Sequence, residues 1–168
     1  MSRFLLAVGA FALMEPFSYA SHRWIMHGRG MVWHRSHHLP MSGRFEANDL
    51  FPVIFAGFTI LVMAAGATLP ALGPLLTVGT GVTAYGAVYM FVHDVYIHRR
   101  VPIFRGAVRG LEWLRESHRI HHLFGGEPYG MLLPIVPRRL RDRARGMSRD
   151  PLSRTVEAVD EKVTVDAA

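Results

Sequence analysis

The sequence predicts an all-α integral membrane protein with three to four transmembrane helices. Half of its 168 residues are apolar, and the stretch from Leu50 to Val92 contains no charged residue and no histidine. A second apolar run, Phe4–Ala20, lies near the N-terminus. A helix needs about 20 mostly apolar residues to cross the hydrocarbon core of a bilayer, so these segments are long enough to span it.

The first predicted span covers about residues 4–21 and contains one acidic residue, Glu15. A signal peptide would have a basic start and a small-residue cleavage site, but this run has only Arg3 before it and leads directly into His22. Glu15 and Pro16 therefore indicate the end of the span near the interface, or a polar position that faces inward.

The central apolar stretch predicts a helical hairpin that forms the second and third spans. Pro70, Gly73 and Pro74 divide it into two runs, roughly Phe51–Leu69 and Leu75–Val92. Two buried helices of a soluble bundle would need polar outer faces, and these runs have none.

The C-terminal third is polar, with short apolar groups. Apolar and charged residues alternate at roughly helical spacing between Phe104 and Arg115, which predicts an amphipathic helix on the membrane surface or in a soluble region. Met131–Pro137 is too short to span and is predicted to be re-entrant or interfacial, whereas Arg138–Arg145 is predicted to face solvent or headgroups. Residues 1–147 would form one membrane domain, and residues 148–168 a disordered tail without apolar periodicity.

The basic residues are unevenly distributed about the predicted spans. Of 19 lysines and arginines, one precedes the first span, four lie between the first and second, and fourteen follow the third. The positive-inside rule therefore places residues 22–49 and 93–168 in the cytoplasm. Basic residues beside apolar spans favour anionic lipid headgroups over nucleic acid as their partner. The absence of cysteine excludes disulfides and thiolate metal sites.

All ten histidines fall into four short clusters, and the same two spacings occur before and after the hairpin. The clusters are His22/His27, His34/His37/His38, His93/His98 and His118/His121/His122. On an α-helix, residues i, i+3 and i+4 share one face, so each H-x2-H-H cluster projects three imidazoles together. Residues i and i+5 are offset by more than a quarter turn, so each H-x4-H pair is predicted to hold a metal from a helix end and the following turn.

A chain that crosses the bilayer and returns brings both groups of clusters to one membrane face. Imidazole suits zinc, copper, iron and nickel, and ten ligands exceed the needs of one ion, so the sequence predicts a dinuclear site. The zinc-peptidase motif H-E-x-x-H is absent. A membrane metal transporter or haem-binding protein is the non-enzymatic alternative. It would place its histidines within the spans, whereas these lie at or beyond their cytoplasmic ends.

These histidine clusters beside membrane spans resemble the fatty acid hydroxylase superfamily of membrane di-iron enzymes. Within it, residues 15–125 resemble the bacterial β-carotene hydroxylases. The segments that carry this resemblance are His22–Gly28, Trp33–His38, Phe45–Leu50, Thr83–Gly86, Val92–Asp94 with His98, and His118–His122.

The resemblance implies O2-dependent hydroxylation of carotenoid β-ionone rings at carbon 3, from β-carotene through β-cryptoxanthin to zeaxanthin. It implies two iron ions held by the ten histidines, and electrons from ferredoxin or from NAD(P)H through a reductase. The carotenoid would enter from the lipid phase, and the location would be the cytoplasmic face of the bacterial inner membrane. Another lipid hydroxylase, a desaturase or a carotenoid ketolase would use the same metal centre, and the residues leave these alternatives open.

Acidic residues near the clusters are candidates for orienting the metal-binding imidazoles. Asp94 adjoins His93, and Glu15 lies seven residues before His22, two turns away along the same helix. Glu46 and Asp49 are further candidates. Each of them could instead be an interfacial residue paired with arginine.

Overall fold

The protein is described by a computed structural model covering residues 2–39, 45–101, 103–104 and 106–152. Within these residues every regular element is helical, which confirms the predicted fold class. The α-helices are α1 (Arg3–Ala20), α2 (Met31–His34), α3 (Leu50–Thr68), α4 (Gly73–Met90), α5 (Glu112–Phe124) and α6 (Arg138–Arg145). Short 3-10 helices are formed by Arg35–His38, Ala47–Asp49 and Pro70–Leu72, and π-helices by Ser21–Arg29 and Phe91–Ile97.

Three helical segments among the described residues are long and apolar enough to cross a membrane: Arg3–Arg29, Ala47–Thr68 and Pro70–Ile97. They confirm the lower of the two predicted span numbers and the central hairpin. Met131–Pro137, predicted to be re-entrant or interfacial, is not helical.

The first helical segment extends further than the sequence indicated. Helix α1 continues through Pro16 to Ala20, close to the predicted end near residue 21, and passes directly into the π-helix Ser21–Arg29. Proline is tolerated within a membrane helix when neighbouring elements stabilise the backbone. The extension carries His22 and His27 beyond the apolar part of the span while keeping them on one continuous helix.

Helix α4 is the centre of the bundle and packs against both α1 and α3. Two glycines permit the close approach of these helices. A Cβ atom at Gly81 would lie 2.2 Å from the carbonyl oxygen of Ala7 on α1, and one at Gly66 would lie 2.5 Å from the amide nitrogen of Leu76. Small residues at helix contacts are the usual basis of tight packing in membranes.

The amphipathic helix predicted between Phe104 and Arg115 begins later than expected, at Glu112, and ends at Phe124. The preceding chain is fixed by Tyr96 instead of by helical hydrogen bonds, since the amide of Val108 donates to the Tyr96 hydroxyl oxygen at 2.9 Å. Phe104 also packs against the buried core that contains Tyr96. Helix α5 packs against the π-helix Phe91–Ile97, which follows α4.

The basic stretch Arg138–Arg145 forms α6, which packs on α5 through Leu140 and Ala144 while its arginines remain exposed. Beyond it, Asp150 forms an ion pair with Arg115, and the Leu152 side chain is 6% exposed in the core. Asp150 and Leu152, which follow the boundary predicted between residues 147 and 148, thus contact the helical body, and the boundary itself stays a prediction. The tail prediction for residues 153–168 lies outside the described residues.

Candidate metal centre

The ten histidines, which are far apart along the chain, converge at one end of the helical bundle. Two sets of four place one ring nitrogen from each member within 4.8 Å of the others. The first tetrad consists of His22, His27, His34 and His121, and the second tetrad consists of His37, His93, His98 and His118. His27 is half-buried and the other seven are buried.

The shortest contacts in each tetrad join Nε2 atoms. In the first tetrad, Nε2 of His22 lies 3.1 Å from that of His34, and Nε2 of His27 lies 3.2 Å from that of His121. In the second, the His37–His93 and His98–His118 distances are 3.0 and 2.9 Å. Nitrogen ligands about 2.0–2.1 Å from an ion lie roughly 3.0–3.4 Å apart when adjacent, so the observed spacing fits a metal.

The two remaining histidines connect the tetrads. Nε2 of His38 lies 3.1 Å from Nε2 of His34, and Nε2 of His122 lies 3.0 Å from Nε2 of His118. The rings of His38 and His122 stack on each other with centroids 4.5 Å apart. Each tetrad therefore has one additional imidazole beside it, and these two imidazoles meet between the tetrads.

Each H-x2-H-H cluster is divided between the two tetrads. His34 belongs to the first tetrad and His37 to the second, whereas on α5 His118 belongs to the second and His121 to the first. Residues three apart on a helix share a face but have Cβ atoms about 5–6 Å apart, which lets them reach two neighbouring ions. One H-x2-H-H cluster thus contributes to both tetrads.

The H-x4-H pairs are set by π-helices: His22 and His27 lie within Ser21–Arg29, and His93 lies within Phe91–Ile97 with His98 directly after it. The amide of His98 donates to the carbonyl of His93 at 2.9 Å, which is the i to i+5 bond of a π-turn. That bond sets residue i+5 one turn above residue i. The ring centroids are accordingly 4.6 Å apart for His93 and His98 and 5.0 Å apart for His22 and His27.

Acceptors on the outer side fix the orientation of five histidine rings. Nδ1 of His34 lies 2.7 Å from the Asn48 side-chain oxygen, and Nδ1 of His37 lies 3.2 Å from a Glu46 carboxylate oxygen. The other three Nδ1 atoms face Asp94 Oδ1 (His93, 3.5 Å), the Tyr129 carbonyl (His22, 3.0 Å) and the Gly126 carbonyl (His121, 2.5 Å). Because these oxygens only accept, each Nδ1 carries the hydrogen and each Nε2 keeps its lone pair for a metal.

With the hydrogen on Nδ1, the short Nε2–Nε2 contacts bring two lone pairs together. His22 and His34 both have an Nδ1 hydrogen bond to an acceptor, so two Nε2 lone pairs face each other at 3.1 Å. Nε2 of His37, whose Nδ1 faces Glu46, lies 3.0 Å from Nε2 of His93, whose Nδ1 lies 3.5 Å from Asp94 Oδ1. Two opposed lone pairs repel unless a proton or a metal ion lies between them. The donor set and its orientation therefore fit a bound cation.

Burial disfavours a proton as that cation. Loss of solvation, assisted by neighbouring imidazoles, lowers the pKa of His34 to about 4 and that of His38 to about 3. The same causes lower the pKa of His37, His118 and His121 well below the ordinary value. These five rings are therefore neutral at pH 7, which is the form that binds a metal.

The predicted carboxylates occupy different places around the centre. Glu46 and Asp94 contact His37 and His93 directly, and burial raises the pKa of Glu46. Asp49 accepts two hydrogen bonds from Arg100, at 2.6 and 2.7 Å, and Arg100 also donates to Asp94 at 3.0 Å. Arg100 thus fixes Asp94 and Asp49 together on the outer side of the second tetrad.

The hydrogen-bond partners of Glu15 in the described part of the chain are not histidines. Its carboxylate accepts from the Tyr85 hydroxyl at 2.6 Å and from the backbone amides of Met131, Leu132 and Leu133. Its role as a group that orients a ligand histidine stays a prediction, as does iron ligation by the ten histidines.

Sequence reasoning missed three of the five acceptors: Asn48 and the carbonyls of Gly126 and Tyr129. Asn48 stands within a recognisable segment, but its side chain gives no sign of its partner. A backbone carbonyl leaves no signal in a sequence at all. Both carbonyls come from the irregular segment after α5.

Residues 7–142 match the family described as fatty acid hydroxylase, a range that begins in α1 and ends in α6. The chain belongs to the fatty acid hydroxylase family. This confirms the resemblance drawn from the histidine clusters. The matched range also includes Gly126 and Tyr129, so the irregular segment is part of the family's domain.

Several curated relatives of this fatty acid hydroxylase are named β-carotene hydroxylases. The protein from Pseudescherichia vulneris is 43% identical over 123 residues, covering 73% of this chain and 69% of its own length. That from Pantoea ananas is 44% identical over 115 residues (68% and 65%), and that from Paracoccus sp. (strain PC1) is 37% identical over 132 residues (77% and 80%). The chain spans under half of a chloroplast relative from Haematococcus lacustris, with 42% coverage. No solved structure matches the chain.

Proposed function

We propose that this chain is a non-haem di-iron monooxygenase that hydroxylates carotenoid β-ionone rings at carbon 3. β-Carotene would give β-cryptoxanthin and then zeaxanthin. The observation that carries the proposal is the pair of histidine tetrads with opposed Nε2 lone pairs at the end of an apolar bundle. The names of the bacterial relatives supply the substrate class.

In this proposal each tetrad holds one iron ion, with His38 available to the first and His122 to the second. When bound, the irons supply reduction of O2 with two electrons and two protons, so that one oxygen atom enters the ring C–H bond and the other leaves as water. The electrons would come from ferredoxin or from NAD(P)H through a reductase. An all-imidazole donor set suits iron, although zinc, copper and nickel also accept such ligands.

The task of the chain's own residues is to hold and orient. Carbon 4 of the ring is allylic, so its C–H bond is weaker than that at carbon 3, and selectivity for carbon 3 requires positioning. Tyr89 is the aromatic residue that connects the bundle to the second tetrad. Its ring centroid lies 5.4 Å from that of His93 and 6.1 Å from that of Tyr85. We propose Tyr89 as part of the wall that presents the ring.

The proposed location is the bacterial inner membrane with the histidines on the cytoplasmic face. The support is the distribution of basic residues, which accumulate beside the histidine-bearing ends of the spans. A ferredoxin or reductase would reach the centre from that side, and the carotenoid would reach it from the bilayer.

The test is pigment analysis in a bacterial host that accumulates β-carotene, with and without the chain. We expect β-cryptoxanthin and zeaxanthin with the wild type, and background levels with His118→Ala or His121→Ala at equal amounts of inserted protein. Arg139→Ala, an exposed position on α6, is the control and should keep full activity. Anaerobically purified protein should contain about two irons per chain, since ten imidazoles exceed the needs of one ion.

Other outcomes would replace this function with a specific alternative. A ketone at carbon 4 would identify a ketolase, and an altered fatty acid or sterol would identify another lipid hydroxylase or a desaturase. Bound metal with no new lipid product would favour the non-enzymatic class.

A further inference from the structure

The segment Gly126–Leu133, here called the strap, follows α5 and returns to α1 without forming a helix. Two of its carbonyls act on the first tetrad. Gly126 accepts from Nδ1 of His121 at 2.5 Å, and Tyr129 accepts from Nδ1 of His22 at 3.0 Å. The orientation of half of this tetrad therefore depends on where the strap lies.

The Tyr129 side chain adds a second connection between the strap and the first tetrad. Its ring centroid lies 5.0 Å from that of His27, 5.4 Å from that of His22 and 5.5 Å from that of His121. The strap thus covers one side of the tetrad as well as orienting two of its rings.

One end of the strap is held from within the first span. The Glu15 carboxylate accepts from the amides of Met131 at 3.0 Å, Leu132 at 3.1 Å and Leu133 at 2.9 Å. The Tyr85 hydroxyl donates to the same carboxylate at 2.6 Å. Hydrogen bonds to an ionised carboxylate are stronger than neutral ones, and a carboxylate in a membrane span is stable only when satisfied in this way.

The strap is shaped to receive this carboxylate. At Gly130, a Cβ atom would lie 3.1 Å from Glu15 Oε1 and 3.2 Å from the carbonyl oxygen of Leu133. A second attachment lies near the start of the strap, where Glu127 accepts from Arg23 and from the Tyr19 hydroxyl, each at 2.7 Å. Both attachments join the strap to the helix that carries His22 and His27.

We propose that Glu15 is a positioning residue for the first tetrad, acting through the strap and not through a histidine. It holds the amides of residues 131–133, and the strap in turn holds the Gly126 and Tyr129 carbonyls against His121 and His22. The proposal rests on the metal-binding part of the function proposed above. Its consequence is asymmetric, because rings of the second tetrad are oriented by Glu46 and Asp94 and not by the strap.

The experiment is a titration of metal-free protein in detergent with Co²⁺, read from the visible absorption of the bound ion and from metal per chain. The wild type should bind two ions. In Glu15→Gln, the carboxamide NH2 faces backbone donors and the charge is lost, so one ion should bind about 10–100-fold more weakly while the other is unchanged. Gly130→Ala, which leaves Glu15 intact but crowds it, should weaken the same ion.

Two controls make the assignment specific. Glu46→Gln should weaken the other ion, because Glu46 contacts His37 of the second tetrad. Glu116→Gln removes an exposed carboxylate on α5 that pairs with Arg119, and both ions should bind as in the wild type. Adding His121→Ala to Glu15→Gln should abolish binding at the weakened ion and leave the other ion bound, whereas adding His118→Ala should abolish binding at the retained one.

The retained ion serves as the internal control for folding. Wild-type affinity for both ions in Glu15→Gln, or equal weakening of both, would overturn the proposal, as would a wild type that binds fewer than two ions. Since the titration requires no turnover, it separates the two proposals. A chain that makes no hydroxylated carotenoid but loses one ion in Glu15→Gln would keep the strap proposal and remove the proposed substrate.

Discussion

Asn48 provides a direct test of the claim that buried acceptors prepare the histidines for metal. Its side-chain oxygen lies 2.7 Å from Nδ1 of His34, and the two residues are 8% and 1% exposed. In Asn48→Leu, a side chain of similar size replaces the acceptor with an apolar group. The His34 N–H is then left buried without a partner, or the ring changes tautomer and directs its hydrogen toward the first tetrad.

The magnitude follows from the burial of this pair. A buried donor that loses its partner costs about 1–3 kcal/mol. Because every 1.4 kcal/mol is a factor of ten in affinity, we expect the first tetrad to bind its ion about 5–150-fold more weakly. Asn48→Asp retains an oxygen acceptor on the same stem and should keep affinity close to the wild type.

The assay is the Co²⁺ titration described above, with Thr59→Val as the matched control. Thr59 is also buried and hydrogen-bonded, to the carbonyl of Phe55 within α3, so its replacement removes a buried hydrogen bond that no histidine shares. The reasoning is refuted if Asn48→Leu binds both ions like the wild type, or if Asn48→Asp is as weak as Asn48→Leu.

Three further predictions concern the scaffold. Gly81→Leu should destabilise the bundle by about 1–3 kcal/mol or more, because the Cβ atom of the new side chain would lie 2.2 Å from the Ala7 carbonyl oxygen. Gly57→Leu should leave stability unchanged, because the space around Gly57 is open. Unfolding of both variants in detergent is the measurement. Truncation after Leu152 should leave thermal stability unchanged. Truncation after Ser148 should lower thermal stability, because it removes the buried Leu152 side chain and the Asp150–Arg115 ion pair. Equal stabilities of the two truncated proteins would contradict this prediction. A reporter fused after Leu152 should be cytoplasmic and one inserted near Gly73 should be external; the reverse pattern would contradict the proposed orientation.

The spans could be predicted from the sequence because a bilayer imposes a simple requirement on length and apolarity. The hairpin of α3 and α4 follows from a stretch without charge that is broken by Pro70 and Pro74. Glu15 and Pro16 were compatible with a helix end or with an inward-facing polar position, and α1 continues through both. Glu15 is instead satisfied by donors that are 70 residues or more away along the chain, which no local pattern reveals.

The sequence indicated which histidines lie together at one centre, but not how they divide into two tetrads. Ten histidines in four clusters indicated a common site, and the even number of crossings between them indicated a common face. The sequence gives no sign that His34 and His37 belong to different tetrads, since helical periodicity places them on one face without saying what lies opposite. That information comes from the packing of α5 against the π-helix Phe91–Ile97 and from the contacts of its histidines with the other clusters.

The π-helical segments connect the scaffold to the centre. In a continuous α-helix His93 and His98 would diverge by more than a quarter turn, and only one of them could face the second tetrad. The i to i+5 bond between these two residues brings both rings to that tetrad, and His22 and His27 at the end of the first span are related in the same way to the first tetrad. The two π-segments occur where apolar spans end, so the helices that cross the bilayer themselves carry four of the imidazoles. The first and third spans thus each fix a pair of candidate ligands rigidly, while α5, the 3-10 helix at Arg35–His38 and the strap supply groups that complete and orient the two tetrads.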